Sequence, residues 1–187
     1  ETALTPFWVA IDGRIVKLGV MLCEDMWPNY TKSPAEILVD NGAEIIINLS
    51  CSNWSWRKNV VRDNLIKEIC QKTNVPFVYV NNVGVQNNGK NFITFDGAST
   101  IYNPQGEIVA MCGLYQDEVK VVELSSDLPP LVREEPDDVE QMFKAVVEAT
   151  RGFTKTLPAH LRKCIVAVSG GKDSSATLAL MVHILGA

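Results

Sequence analysis

Residues 14–23, RIVKLGVMLC, form an apolar run whose alternation is typical of a buried β-strand. The run FWVAI at 7–11, followed by Asp-Gly at 12–13, predicts a preceding strand and a tight turn. EIIINLS at 44–50 is a second β-branched run, of the kind found in a sheet that is covered on both faces. Helical patterns separate such runs, so the sequence predicts an α/β fold.

The first helices have clear start and stop signals. Ser-Pro-Ala-Glu at 33–36 predicts a capping box with proline at the first helical position, and Asn-Gly at 41–42 predicts the end of that helix. A loop, SCSNWSWRK at 50–58, leads into a helix of about residues 58–72. FVYVNNV at 77–83 then predicts a third strand.

Further along the chain, turn signals separate short alternating runs, a pattern that is typical of antiparallel strands. The runs are FITF (92–95), STIY (99–102), EIVAMC (107–112) and VKVVEL (119–124). The turn signals are Asn88-Gly89, Asp96-Gly97 and Asn103-Pro104-Gln105-Gly106.

A proline-rich acidic stretch, SSDLPPLVREEPDDVE from residue 125, predicts an exposed linker between two domains. We accordingly divide the chain into a first domain (1–125), a linker (126–140) and the start of a second domain (141–187). A helix over about 137–157 follows the linker, and CIVAV at 164–168 predicts the opening strand of the second domain. The helix has one apolar stripe, formed by Val139, Met142, Phe143, Val146 and Val147.

Composition excludes several classes of protein. The net charge of -5 and the pI of about 5.1 argue against nucleic acid as a partner, because no basic stripe appears. No apolar run approaches the roughly 18 residues of a membrane-spanning helix, and ETALTPFWVA at 1–10 has no basic region followed by an apolar one, so we expect a cytoplasmic protein with no membrane partner. The chain begins without Met and stops directly after a strand-turn-helix pattern, so we expect it to be a piece of a longer protein.

The five cysteines are odd in number and never spaced as CxxC, which argues against both a disulfide framework and a zinc site. We expect Cys51, Cys70, Cys112 and Cys164 to lie in the core. Cys23 differs because Glu24 and Asp25 follow it directly at the end of an apolar strand. A buried structural cysteine remains one reading, but a charged constellation at a strand end favours a catalytic thiol with backbone N–H groups nearby for an oxyanion.

A second candidate site is SGGKDSS at 169–175. Lys172 is followed by Asp173 rather than Ser or Thr, so this is not a Walker A loop. The physics of phosphate binding is still present: Gly170 and Gly171 permit close backbone approach, and Ser174 and Ser175 offer hydroxyls that we expect to cap a helix whose dipole favours an anion. A plain strand-to-helix turn with a serine cap is the alternative.

LGVMLCEDMW resembles the nucleophile segment of the nitrilase (carbon–nitrogen hydrolase) superfamily, in the form found in the glutaminase domain of glutamine-dependent NAD synthetases. NLSCSNWSWRKNVVR and FDGASTIYNPQGEIVA are similar to later segments of that domain, with Asn53 where proline is usual. The resemblance covers about residues 7–125 and implies the later half of an α-β-β-α sandwich. It implies Cys23 as the nucleophile and the backbone N–H of Glu24 as an oxyanion donor.

The same resemblance implies that Ser52 and Lys58 contact glutamine, with Ser50 and Arg57 as neighbouring candidates. A solvated first turn of a helix is the alternative reading of Arg57 and Lys58. The superfamily's catalytic triad also includes a glutamate base and a lysine upstream of the cysteine, on segments that this chain does not contain. We therefore expect the chain by itself not to hydrolyse glutamine.

The loop at 169–175 resembles the pyrophosphate loop of the N-type ATP pyrophosphatases, whose Rossmann-like domain opens with this strand, loop and helix. The resemblance implies that Ser169, Gly170, Gly171, Lys172, Asp173, Ser174 and Ser175 bind ATP, with Asp173 also holding Mg²⁺. A nitrilase-type glutaminase followed by this loop is the plan of the glutamine-dependent NAD synthetases. That plan implies glutamine, deamido-NAD and ATP as substrates, and a homo-oligomer.

Two other functions remain open from the sequence. A stand-alone nitrilase-type amidase would hydrolyse amides without ATP, and the loop at 169–175 argues against it. A catalytically incompetent product that serves only as a binding or assembly module is the non-enzymatic alternative.

Overall fold

The computed structural model describes residues 4–11, 13–124, 128–134 and 136–186. The chain divides into two compact units, of which the first comprises residues 1–83 and 95–135 and the second residues 84–94 and 136–187. The chain order of the strands is β1 (Phe7–Ile11), β2 (Arg14–Leu22), β3 (Ile45–Ser50), β4 (Phe77–Asn81), β5 (Val83–Asn87), β6 (Phe92–Asp96), β7 (Thr100–Tyr102) and β8 (Ile108–Met111). The helices are α1 (Pro34–Asp40), α2 (Lys58–Thr73), α3 (Asp138–Thr156) and α4 (Lys172–Leu185).

The first unit is built on a six-stranded mixed sheet in the order β1-β2-β3-β4-β7-β8. The three central strands β2, β3 and β4 are parallel, and β1, β7 and β8 pair antiparallel at the sides. The predicted strands at 7–11, 14–23 and 44–50 are therefore confirmed within a residue or two, and the run at 77–83 is divided between β4 and β5. The α/β class is confirmed as well.

The core of this unit lies between one face of the sheet and the helices α1 and α2. Its fully buried members include Met21, Leu38, Ile46, Ile66 and Phe77. On the other face, Leu22, Leu49 and Val80 lie in one row across β2, β3 and β4 and are exposed. The sheet was expected to be covered on both faces. Within the described residues of this unit, helices cover only one of them.

Helix α1 begins and ends where the sequence predicts, with Ser33 at the N-cap, Pro34 at the first position and Asn41 at the C-cap. The predicted capping box is not formed, because the Ser33 side chain makes no capping hydrogen bond. Proline removes one of the N–H groups that such a cap would satisfy, so this helix start depends less on a side-chain acceptor.

The predicted strand at 119–124 is wrong. Val119 and Val121 are each 95% exposed, and no described segment pairs with them. Side chains hold this stretch instead, because Lys120 Nζ donates to the carbonyl oxygen of Met111 at 2.6 Å and pairs with Glu118 at 3.3 Å. Alternation alone cannot form a strand that has no partner for its backbone.

The stretch predicted as an exposed linker is anchored at one point. Arg133 is nearly buried and its guanidinium contacts the Asp63 carboxylate of α2 at 2.9 and 3.2 Å. The same guanidinium donates to Thr100 Oγ1 at 2.7 Å, and the Leu131 N–H donates to the Ile108 carbonyl at 2.7 Å. This segment is therefore attached to α2 and the edge of the sheet.

The second unit contains α3, α4 and the outer part of the β5–β6 hairpin. Helix α3 matches the predicted helix over 137–157, and Asp137 caps it by accepting from the N–H groups of Val139 and Glu140. The predicted apolar stripe of α3 is only partly buried: Val147 is buried with Gln141 and Ala145, whereas the stripe's other four members are exposed. The hairpin contacts α3 near the end of the helix, where the Phe92 and Phe153 rings meet at a tilt of 60° with 4.6 Å between their centres.

The predicted strand at 164–168 is not formed either. Ile165 is 98% exposed, and residues 162–169 have no strand partner among the described residues. Of the expected strand, loop and helix that open a Rossmann-like domain, only the loop and the helix α4 are present in the described residues. No residue of α4 is buried. Across the described ranges, no helix is both long and apolar enough to cross a membrane.

Gly106, in the turn between β7 and β8, offers a stability test of the first unit. Its φ is +77°, and an added Cβ would lie 2.6 Å from Lys67 Cα and 2.9 Å from Lys67 O in α2. Gly106→Ala adds this clash with backbone to the cost of a left-handed alanine, so we expect it to lower the free energy of unfolding by about 1–3 kcal/mol more than Gly13→Ala. Gly13 is the matched control, because its φ is +76° but nothing lies within 4 Å of an added Cβ. Equal losses for both variants in urea titrations would contradict this contact.

Candidate active site

The candidate site lies at the carboxyl ends of the three parallel strands. Cys23 follows β2 directly, and Ser50 and Asn81 are the last residues of β3 and β4 and are paired in register. Parallel strands that end side by side bring their following residues to one edge of the sheet, which is where ligands bind in many α/β folds. The expectation that Cys23 stands at a strand end beside a sharp turn is therefore confirmed.

Cys23 has an unusual backbone conformation. It is the first residue of a 3-10 turn, Cys23–Met26, and its φ is +34°, in the region that residues with a Cβ rarely adopt. Strain of this kind persists only where surrounding contacts impose it, and it is concentrated at functional sites. Two contacts fix this turn: Asp25 Oδ2 accepts from the Leu22 N–H at 2.9 Å, and Glu24 Oε1 accepts from Asn29 Nδ2 at 2.6 Å.

The turn leaves backbone donors near the thiol. Glu24 is the second residue of the turn, so its N–H has no acceptor within the turn itself. This geometry suits the oxyanion role that the resemblance implies. Asn48 Nδ2 lies 3.5 Å from the Cys23 carbonyl oxygen, and its Oδ1 accepts from Ser50 Oγ. Asn48 is fully buried, so its amide connects the Cys23–Met26 turn to the end of β3.

The predicted glutamine residues have different surroundings. Ser50 is partly exposed beside Asn48. Ser52 is buried: its N–H donates to Asn81 Oδ1 at 2.9 Å and its Oγ accepts from Arg62 Nη2 at 3.1 Å. Arg57 is the N-cap of α2, with φ of +56°, and its guanidinium lies 5.0 Å from the centre of the Trp56 ring. Of these three, Arg57 is exposed, Ser50 is half-buried and Ser52 is buried.

Lys58 begins α2 and is held against the loop between β3 and α2. Its Nζ donates to the carbonyl oxygen of Asn53 at 3.0 Å and to Asn53 Oδ1 at 3.2 Å. Burial and the nearby Arg62 charge lower the pKa of Lys58, and the charges of Asp96, Cys23 and Glu24 act in the opposite direction. Lys58 is half-buried and its ammonium group is bonded to Asn53, so the alternative of a merely solvated first helical turn is wrong for Lys58.

Sequence reasoning missed the ion pair beneath this loop. Arg62 of α2 and Asp96 at the end of β6 are each 1% exposed and lie 2.9 Å apart. Asn59 Nδ2 and Asn81 Nδ2 also donate to the Asp96 carboxylate, at 3.1 and 3.3 Å. Asp96-Gly97 was interpreted as a turn signal, and no role was assigned to Arg62 from the sequence. The sequence does contain one signal for a role of Arg62: it lies four residues after Lys58 in α2, so the two side chains share one face of the helix.

The second candidate site, residues 169–175, forms an exposed loop and the first turn of α4. Gly170 has φ of +86° with open space around it, and Gly171 is the N-cap, with no side-chain capping bond. The prediction that Ser174 and Ser175 cap the helix is wrong, because both lie inside the helix. Ser174 Oγ instead bonds back to the Ser169 N–H and the Gly171 carbonyl, each at 3.2 Å.

The first turn of α4 therefore offers uncapped N–H groups, with Lys172 and Asp173 beside them. This combination fits a phosphate group. In the part of the chain that the structure describes, no cluster of three His, Cys, Asp or Glu side chains could hold a metal by itself. Asp173 as a single carboxylate still fits Mg²⁺ that shares its coordination with nucleotide phosphates, because Mg²⁺ often uses one or two carboxylates and phosphates.

The cysteines other than Cys23 are only partly in the core. Cys70 is buried and Cys112 half-buried, whereas Cys51 and Cys164 are exposed, so the prediction is wrong for these two. Cys51 lies in the loop after β3 and Cys164 in the segment that forms no strand.

These exposures predict unequal alkylation. Burial raises the pKa of Cys70 to about 12, so this thiol should remain unmodified by iodoacetamide in the folded protein at about pH 8. Cys51 and Cys164 should be alkylated under the same conditions and serve as internal controls. Peptide mass spectrometry before and after unfolding gives the comparison. Equal modification of Cys70 and Cys164 in the folded state would contradict the burial.

Comparison with known proteins identifies the family of the first part of the chain. The sequence pattern of the carbon–nitrogen hydrolase family matches residues 3–131, which include the sheet, Cys23 and the ion pair. The chain belongs to the carbon–nitrogen hydrolase family. A solved carbon–nitrogen hydrolase from Helicobacter pylori G27 supports the fold, with a TM-score of 0.51 at 23% identity over 63% of this chain and 42% of that one.

The relatives of this family member extend the match beyond residue 131. A glutamine-dependent NAD(+) synthetase of Synechocystis sp. is 33% identical over 191 residues, covering 91% of this chain and 32% of the relative. The structure of a glutamine-dependent NAD+ synthetase from Acinetobacter baumannii, in complex with ADP, matches with a TM-score of 0.76 and 27% identity over 97% of this chain and 33% of that one. The chain thus spans about a third of the length of these relatives.

Proposed function

We propose that Cys23 is the nucleophile of a glutaminase that supplies ammonia for ATP-dependent amidation of deamido-NAD to NAD. The observation that carries the proposal is the strained position of Cys23, with φ of +34°, at the end of a central parallel strand. The named relatives support the wider reaction, because they cover 91% and 97% of this chain and so extend beyond the carbon–nitrogen hydrolase region.

The residues of the site suit amide hydrolysis. The thiolate of Cys23 attacks the side-chain carbonyl of glutamine, and the oxyanion is stabilised by the Glu24 N–H. Ammonia then leaves, and water releases glutamate from the thioester. Ser50 and Lys58 would pair with the polar groups of glutamine, whereas the Ser52 hydroxyl already accepts a hydrogen bond from Arg62. We assign Ser52 to holding the loop and Ser50 to direct substrate contact.

The loop at 169–175 is proposed to bind ATP. Gly170, Gly171 and the free N–H groups of the first turn of α4 would receive phosphate oxygens, and Lys172 would neutralise their charge. Mg²⁺, held by Asp173 and the phosphates, would supply charge neutralisation there. In the proposed reaction the nicotinate carboxylate displaces pyrophosphate from ATP, and ammonia then displaces AMP to form the amide. A homo-oligomer and a cytoplasmic location remain predictions.

The test is product analysis with the full-length protein. With deamido-NAD and Mg-ATP, wild type should form NAD and AMP in equal amounts with either glutamine or ammonium as the nitrogen source. Glutamate should appear only with glutamine. Formation of glutamate without any AMP would favour a stand-alone amidase, and formation of none of these products would favour a non-catalytic module.

A further inference from the structure

We propose that Arg62, held by Asp96, is a positioning residue that sets the conformation of the glutamine loop, defined here as residues 51–57, and through Asn53 of that loop fixes the position of the Lys58 ammonium group. This inference rests on the proposed glutaminase function and adds residues that act on its substrate indirectly. It starts from the way in which the Arg62 guanidinium distributes its hydrogen bonds.

The two terminal nitrogens of Arg62 have separate partners. Nη1 serves the ion pair: it donates to the Asp96 carboxylate at 2.9 and 3.1 Å and to Asn59 Oδ1 at 2.8 Å. Nη2 serves the loop: it donates to the Ser52 carbonyl at 2.9 Å, to Ser52 Oγ at 3.1 Å and to the Asn53 carbonyl at 3.2 Å. An ion pair alone needs only the first set. The second set fixes two successive carbonyl groups of the glutamine loop.

Other groups prevent the guanidinium and the loop from shifting. The guanidinium lies over the Tyr79 ring, with 5.6 Å between Arg62 Cζ and the ring centre. Asn81 holds Ser52 from the opposite side, since its Oδ1 accepts from the Ser52 N–H at 2.9 Å and its Nδ2 donates to the Ser52 carbonyl at 3.1 Å. Fixed rotamers and a bonded outer shell of this kind are what precise positioning of a substrate loop requires.

The arrangement reaches Lys58 through Asn53. The Asn53 carbonyl accepts from both Arg62 Nη2 and Lys58 Nζ, and Asn53 Oδ1 gives Lys58 a further acceptor. The charged groups that act on the pKa of Lys58 are Arg62, which lowers it, and Asp96, Cys23 and Glu24, which raise it. A shift of the Ser52–Asn53 backbone would therefore move the ammonium group relative to Cys23.

Two replacements separate positioning from stability. Arg62→Lys keeps the charge but loses the planar fork that serves both partners at once. The double variant Arg62→Met with Asp96→Leu removes both charges together, and replacement of a buried pair by apolar side chains commonly preserves folding. Arg133→Lys is the matched control. Like Arg62, Arg133 is a nearly buried arginine paired with an aspartate, in this case Asp63, but its described hydrogen bonds go to Asp63 and Thr100 and none goes to the glutamine loop.

The assay measures glutamine-driven and ammonium-driven NAD formation in the full-length protein. We expect KM for glutamine to rise between about tenfold and a hundredfold in each folded Arg62 variant, because small misplacements of substrate-positioning groups have effects of this size. The ammonium-driven rate should be unchanged, and Arg133→Lys should leave KM for glutamine unchanged. Wild-type KM for glutamine in a folded Arg62 variant would overturn the inference. Absence of glutamine hydrolysis by wild type would instead overturn the proposed function.

A second readout is independent of activity. The pH dependence of Lys58 acetylation, measured by mass spectrometry after treatment with acetic anhydride, reports the titration of this amine. In the double variant, the pKa of Lys58 should rise toward its ordinary value, because the loss of the Arg62 charge and of loop packing outweighs the loss of Asp96. An unchanged Lys58 profile in the folded double variant would contradict a positioning role.

Discussion

Replacing Cys23 with alanine should lower glutamine-driven NAD formation by the full-length protein by about a thousandfold or more, since loss of a covalent nucleophile has effects of this size. Ammonium-driven NAD formation should remain close to that of wild type. The difference is expected because the thiol acts only in releasing ammonia from glutamine, while amidation uses whatever ammonia is present. Parallel assays of glutamate, NAD and AMP with the two nitrogen sources measure it.

The matched control for this variant is Cys112→Ala. Cys112 is a half-buried cysteine of the same unit, like Cys23, but it follows β8 rather than a central parallel strand. The Cys112→Ala variant should retain glutamine-driven NAD formation. Retention of that activity by Cys23→Ala would assign the nucleophile elsewhere and leave the strained turn without a role. Loss of both activities would mean that Cys23 supports the fold rather than the chemistry.

The turn at Cys23–Met26, which holds the proposed nucleophile, could be predicted from sequence because its determinants are local. An apolar strand, a cysteine and two carboxylates are contiguous, and the Asp25 carboxylate bonds to a backbone N–H only three residues before it. The boundaries of α1 and α2 were predictable for the same reason, since proline, glycine and helical periodicity act within a few residues.

The ion pair could not be predicted in this way. Arg62 and Asp96 are 34 residues apart, and each has an ordinary local interpretation. Only the folded structure, in which the end of β6 lies against α2, shows that Asp96 is the buried counter-ion of Arg62. The failed strands at 119–124 and 164–168 have the same origin, because a strand is defined by its partner and sequence alternation does not identify one.

Arg62→Met should be among the most destabilising single substitutions in the first unit. It leaves the Asp96 carboxylate buried with only amide donors, and it also removes one of the two donors to each of the Ser52 and Asn53 carbonyls. Removing one partner of a buried ion pair costs roughly 3 to 5 kcal/mol of unfolding free energy. Urea titration followed by tryptophan fluorescence measures it in this unit, because all four tryptophans lie between residues 8 and 56.

Two comparisons distinguish an uncompensated charge from a simple loss of packing. Arg14→Met breaks the exposed pair with Glu44, whose atoms lie 3.3 Å apart, and should cost less than about 1 kcal/mol. Adding Asp96→Leu to Arg62→Met should recover most of the lost stability, because the unpaired carboxylate is then gone. If the double variant is as unstable as Arg62→Met alone, packing and the loop carbonyls, rather than the buried charge, account for the loss. The glutamine loop would then depend on Arg62 for its stability as well as for its position.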